Sequence, residues 1–119
     1  MIQTFTIQKA TPSQNETDRM HWAKRRLVAK EWGLLLFEQI TTNRITKAAG
    51  KRSLTVYRHG KRELDDGNLV GGLKQIIDEM VKLGVLVDDD PKHLSLIAHC
   101  RPLAAKANPH TSFYLEDME

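Results

Sequence analysis

Apolar positions along the chain follow two periods, one for strands and one for helices. Ile2-Gln3-Thr4-Phe5-Thr6-Ile7 is rich in β-branched residues and predicts a first strand. Arg52 to Arg58 alternates, with Leu54 and Val56 on one face and Thr55 and Tyr57 on the other, and predicts a second. Lys92 to Cys100 alternates again, Leu94, Leu96 and Ala98 opposite Ser95 and Ile97, and Thr111 to Leu115 predicts a last strand. The helical period appears in Leu69, Leu73, Ile76, Ile77 and Met80, at i, i+4, i+7, i+8 and i+11. This one-sided stripe predicts a helix from Asn68 to Leu83, with Asn68 as its cap and Gly84 just past its end. A second long helix is expected from Arg19 to about Thr41. Its first half carries Lys24, Arg25, Arg26 and Lys30; its second half, Trp32 to Phe37, is apolar nearly all round and needs a sheet or a second subunit to cover it. Gly33 would allow a close crossing there, and Trp22 and Trp32 read as core or interface residues.

The remaining stretches read as connections. Lys9 to Asp18 is a polar loop offering Ser13, Thr17 and Asp18 as N-caps for the helix that follows. Thr42 to Lys51 is a connector with a turn at Gly50, Arg101 to His110 a basic loop bounded by prolines, and Glu116 to Glu119 an acidic tail. Four strands and two main helices in one domain, residues 1–119, make an α+β fold.

Composition narrows the class. The chain has 119 residues, 40% hydrophobic and 28% charged, as in soluble globular proteins. No apolar run approaches the length needed to span a membrane. Cys100 is the only cysteine, so no intrachain disulfide forms, and a cytoplasmic setting is expected. Net charge is only +3, but it is unevenly spread: residues 1–62 hold 13 Lys/Arg against 4 Asp/Glu, a net of +9, and residues 63–119 hold 5 against 11, a net of −6. A basic half beside an acidic centre suits a polyanion gripped by one and processed at the other.

Candidate chemistry centres on Leu64-Asp65-Asp66-Gly67-Asn68-Leu69 and its echo Val87-Asp88-Asp89-Asp90. The helix between them would run about 24 Å, and an extended return from Gly84 to Asp90 about 23 Å. Doubling back would bring Asp88–Asp90 beside Asp65 and Asp66. Gathered carboxylates repel unless a cation compensates, and their oxygens are what Mg²⁺ and other hard cations prefer. Lys74 would lean back toward the acidic end of its helix, with Gly71 leaving space in front of it. An acid pair, a lysine and an acid triplet at a helix N-terminus are equipment for metal-assisted phosphodiester hydrolysis. The plainer reading is two solvated acidic turns, since Asp-Asp-Gly-Asn and Asp-Asp-Asp-Pro are both good turn sequences. The basic loop Arg58-His59-Gly60-Lys61-Arg62 feeds straight into the first cluster, as a solvated turn or a phosphate clamp. The five histidines are scattered and disfavour a zinc site; EF-hand, Walker A and nucleophile motifs are absent.

Over most of its length the chain resembles the RusA-type Holliday-junction resolvases, including their phage-borne branch. The resemblance rests on Pro12-Ser13-Gln14-Asn15 leading into a basic helix that opens Met20-His21-Trp22, on the strand entering Leu64–Leu69, on Lys74 with Ile77-Asp78, and on Gly84 followed by Val87-Asp88-Asp89. It implies a small fold with a mixed sheet, a homodimer, and Mg²⁺-dependent paired nicking of four-way DNA junctions in recombination and repair. Position by position, Asp65 matches the first metal-binding aspartate, Asp89 the aspartate of the second cluster and Lys74 the active-site lysine. Gly67 stands where the family carries a second aspartate, and Asp66 is the adjacent substitute. The gap from Asn68 to Lys74 is also longer than in the best-known members.

Asp65, Asp66, Lys74 and Asp89 are therefore the expected catalytic residues. Asp65, Asp66, Asp89 and Asp88, with Asp90 as a further option, are the expected ligands of Mg²⁺ or Mn²⁺. Lys24, Arg25, Arg26, Arg58, Lys61 and Arg62, together with Lys51 and Arg52, are the expected contacts to the DNA backbone. The alternative is a catalytically impaired junction- or duplex-DNA-binding protein of the same fold, and a weaker one a small interaction protein with solvated acidic turns.

Overall fold

The computed structural model describes residues 1–118, so Glu119 of the expected acidic tail lies outside the described residues. The elements run β1 (Ile2–Ile7), α1 (Gln14–Arg19), α2 (Trp22–Thr42), β2 (Arg52–His59), α3 (Asp66–Gly72), α4 (Lys74–Lys82), β3 (Leu94–Arg101) and β4 (His110–Asp117). The strands form one mixed sheet in the order β1-β4-β2-β3. Only β2 and β3 are parallel; β4 is antiparallel to both β1 and β2. The expected α+β fold with a mixed four-stranded sheet is what the chain adopts.

Strand alternation decides the layering. Phe5, Phe113, Val56 and Ala98 lie in one register row, and their face also carries Ile7, Leu54, Leu94 and Leu115. All but the half-buried Ala98 are buried, and all pack in one core with Trp32 and Leu36 of α2 and with Ile76, Ile77 and Met80 of α4. The helices thus cover one face of the sheet. The opposite face carries Thr55, Tyr57 and His59 on β2 and Ile97, His99 and Arg101 on β3.

Three departures from the expected elements have local causes. Ser13 does not wait for the long helix: with Glu16 it closes a reciprocal capping box that starts the short α1 inside the expected polar loop. The helix expected from Asn68 to Leu83 starts instead at Asp66, capped by Asp65, and is interrupted at Leu73. There Leu73 N–H bonds the Val70 carbonyl, a tighter i→i−3 link. Gly72, just before the break, is required by packing, because a side chain there would run into the Pro12 carbonyl. The return from Gly84 to Asp90 is a series of turns rather than an extended run. Gly84 does stop α4 as expected, with φ of +83°. Gly33 does sit at a close crossing, where a Cβ would lie 2.6 Å from Glu79 of α4.

Candidate functional site

The first acidic cluster is built by helix capping. Asp65 Oδ1 accepts the Asn68 N–H at 2.9 Å and Oδ2 accepts the Asn68 side-chain amide at 2.9 Å. Asn68 Oδ1 in turn accepts the Asn15 N–H at 3.2 Å, tying α3 to α1. Asp65 is therefore the cap, in place of the expected Asn68, which instead bridges to Asn15. These donors, the Asn68 backbone foremost, hold the Asp65 carboxyl below its ordinary value. Asp66 lies exposed in the first turn of α3.

The second cluster is organised by its own turn. Asp90 Oδ1 accepts the N–H groups of Lys92 and His93 at 2.9 and 3.1 Å and meets His93 Nδ1 at 2.8 Å. Partial burial raises the Asp90 carboxyl, but the His93 hydrogen bond, His93's charge and the two N–H groups together outweigh it, so the net shift is downward. Asp88 Oδ1 accepts the Asp89 N–H at 2.7 Å. The hydrogen bond to the Asp88 side chain is the largest of the effects that raise the Asp89 carboxyl.

Asp88, Asp90 and His93 each place a ligand atom within 4.8 Å of the others. Two carboxylates and an imidazole can hold a divalent metal ion. Asp65, Asp66 and Asp89 form no such group among the described residues. The expected meeting of the two clusters rested on an extended return from Gly84 to Asp90, and that segment turns instead. Asp90 thus enters as the aspartate left optional, and His93 as a residue the sequence reading set aside. The signal that could have found it is the three-residue spacing from Asp90, which lets one side chain cap the turn and meet the ring.

Lys74 and Asp89 are brought together. With Val70, Gly71, Ile77, Pro91, Leu94 and Leu96 they line one cavity of about 350 Å³ between the α3–α4 junction and the start of β3. Lys74 and Asp89 are exposed there over an apolar floor. Space beside Gly71 is not all open, since the Gln14 side chain of α1 packs against it.

The basic residues divide into two sets. Lys24, Arg25, Arg26, Lys51, Lys61 and Arg62 are at or near the surface, and the Arg26 guanidinium lies over the Trp22 ring at 5.8 Å. Arg58 is turned inward: its Nε donates to the Thr11 carbonyl at 2.7 Å and Nη1 to the Arg62 carbonyl at 3.0 Å. Arg52 is buried, bonded to Asp117, Thr46, Lys47 and Val85. Both sit on the core-facing side of β2, where strand parity places positions 52, 54, 56 and 58 together. Neither guanidinium is presented to a phosphate.

No family model and no curated protein matches the chain. The class that fold and site define is a small α+β domain with a mixed sheet and a carboxylate–imidazole group able to hold a metal ion. Among the described residues no helix is long and apolar enough to cross a membrane.

Proposed function

We propose that the chain is a metal-dependent endodeoxyribonuclease of the RusA type, nicking four-way DNA junctions in pairs as a homodimer. The observation that carries this reading is the shared cavity of Lys74 and Asp89, a cation and a carboxylate beside the Asp88–Asp90–His93 group. Asp88, Asp90 and His93 would hold Mg²⁺, or Mn²⁺, which accepts the imidazole more readily. A bound ion would supply Lewis-acid stabilisation of the attacked phosphate. Lys74 binds that phosphate and offsets charge that grows on it in the transition state. Asp89 orients a water through its carboxylate. Lys24, Arg25, Arg26, Lys61 and Arg62 hold the DNA backbone without reading sequence. Two equivalent strands at a junction call for two copies of the chain.

Purified protein is incubated with a synthetic four-way junction and Mg²⁺ or Mn²⁺. Nicking is expected, lowered about 10²-fold by Lys74→Ala and abolished by Asp89→Asn. Full activity in both variants overturns the reading.

A second reading, a junction- or duplex-binding protein without cleavage, is favoured by one feature of the first cluster. Both Asp65 oxygens are engaged by Asn68, and Gly67 brings no carboxylate. A Cβ at Gly67 would meet only Asp65 Oδ1, at an ordinary 3.5 Å, so an aspartate fits there. Cleavage gained by Gly67→Asp in an otherwise inactive protein decides for this reading.

A further inference from the structure

The core covers only one side of α2. Trp32 and Leu36 are buried in it, while Leu27, Leu34 and Phe37 point outward, 67%, 65% and 57% exposed. A helix apolar on both sides needs cover on both. The outward residues are also ordered. Ala23, Leu27, Lys30, Leu34, Phe37 and Thr41 follow one another at spacings of four, three, four, three and four, the seam of a coiled coil.

This seam has the same spacing from either end. A second copy laid antiparallel on it sets Leu27 against Phe37, Lys30 against Leu34 and Ala23 against Thr41, and each copy fills the same layers of the other. Lys30 can lay its stem along Leu34 of the partner subunit and carry its ammonium to the rim. A parallel copy would set Lys30 against Lys30. Charges beside the seam agree with the antiparallel order. Lys24, Glu31 and Glu38, all exposed, follow at intervals of seven along one edge of it. Antiparallel pairing brings each Lys24 to Glu38 of the partner subunit. Among the described residues neither Lys24 nor Glu38 has an ion pair within its own chain. The one like-charged meeting, Glu31 with Glu31, is offset, because Lys9 already pairs with Glu31 at 2.6 Å. An anionic membrane surface fits less well, since Glu31 and Glu38 would face its headgroups.

We infer that α2 is a dimer interface, packed antiparallel on α2 of a second copy, with Leu27, Leu34 and Phe37 as anchors and Lys24–Glu38 pairs at the rim. The inference takes the homodimer of the proposed function and gives it a surface; it does not depend on cleavage. Lys24, at the rim, keeps further donors for a phosphate.

The test follows the full chain by sedimentation equilibrium in EDTA, without DNA. A dimer is expected at micromolar concentration. Leu34→Lys sets like charges against Lys30 of the partner subunit and is expected to weaken dimerisation about 30-fold. Lys24→Glu and Glu38→Lys should each weaken it about tenfold, and both together in one chain should restore it. Leu27→Lys, also at an exposed position, repeats the first test should Leu34→Lys not fold by circular dichroism. The inference is overturned if the wild-type chain stays monomeric, if the lysine variants dimerise as wild type does, or if the double exchange recovers nothing. A monomer that binds anionic vesicles through Leu27 and Leu34 overturns it in favour of a membrane surface. Failure here is distinct from failure of the nuclease: a dimer untouched by Leu34→Lys that nicks junctions sinks this inference alone, and a dimer broken by Leu34→Lys in a chain that never nicks sinks only the nuclease.

Discussion

Arg52 shows how one side chain can be misassigned from charge alone. Its guanidinium donates to Asp117 Oδ1 at 2.7 Å, to the Thr46 carbonyl at 2.7 Å and to the Val85 carbonyl at 3.0 Å, with two further bonds to Thr46 Oγ1 and Lys47. It ties the connector before β2 to the segment after α4. Because Asp117 is largely exposed, the ion pair itself is screened, and the buried carbonyl bonds matter more. Arg52→Ala is expected to cost about 3 kcal/mol or more of stability, read by urea unfolding, since it leaves buried acceptors without donors. His59 supplies the pH dependence. Burial foremost, then the neighbouring His110 and Arg101, lower its pKa below the usual 6.5. The unfolded chain therefore binds the proton more readily. Stability is full above about 6.5 and declines as pH falls from there through the folded value. A His59→Gln variant should show a flatter stability profile across that interval, measured by thermal melts at stepped pH.

At the scale of elements, the short α1 and the broken α3–α4 pair determine what surrounds Lys74. α1 exists because Ser13 accepts the Glu16 N–H at 3.1 Å while Glu16 reaches back to the Ser13 N–H at 3.3 Å. That signal was legible in Ser13-Gln14-Asn15-Glu16, but the loop composition around it concealed a helix of six residues. Ser13→Ala is expected to cost about 1 kcal/mol. Gly72→Ala should cost more than that, because its new methyl would meet the Pro12 backbone, which cannot move aside as a side chain can. Both losses are read as shifts of the denaturant midpoint. If Gly72→Ala left the midpoint unchanged, the contact of α3 with the chain at Pro12 would not be as described.

For the whole molecule, the charge asymmetry and the metal group make separate claims. If the basic residues of 1–62 hold DNA, junction affinity should fall steeply with salt, with a slope that becomes shallower when Lys24, Arg25 and Arg26 are replaced by alanine. Electrophoretic titration at several salt concentrations measures it. If Asp88, Asp90 and His93 hold a divalent ion in the folded chain, saturating Mn²⁺ should raise Tm by about 4 °C. His93→Ala and Asp90→Asn should remove that rise, and an equal rise in both variants would place the ion elsewhere.

The sequence by itself determined the strands, the core-facing parity of β2 and β3, the stop at Gly84 and the uneven charge. These follow from alternation, local backbone preference and composition, which act between near neighbours. Only the tertiary structure decided that Asp88 and Asp90 lie beside His93 and that Lys74 and Asp89 line one cavity. It also decided that the rings of Tyr57, His99 and Tyr114 meet on the sheet face away from the helices. Those meetings depend on strand order and register and on the path of the chain between β2 and β3.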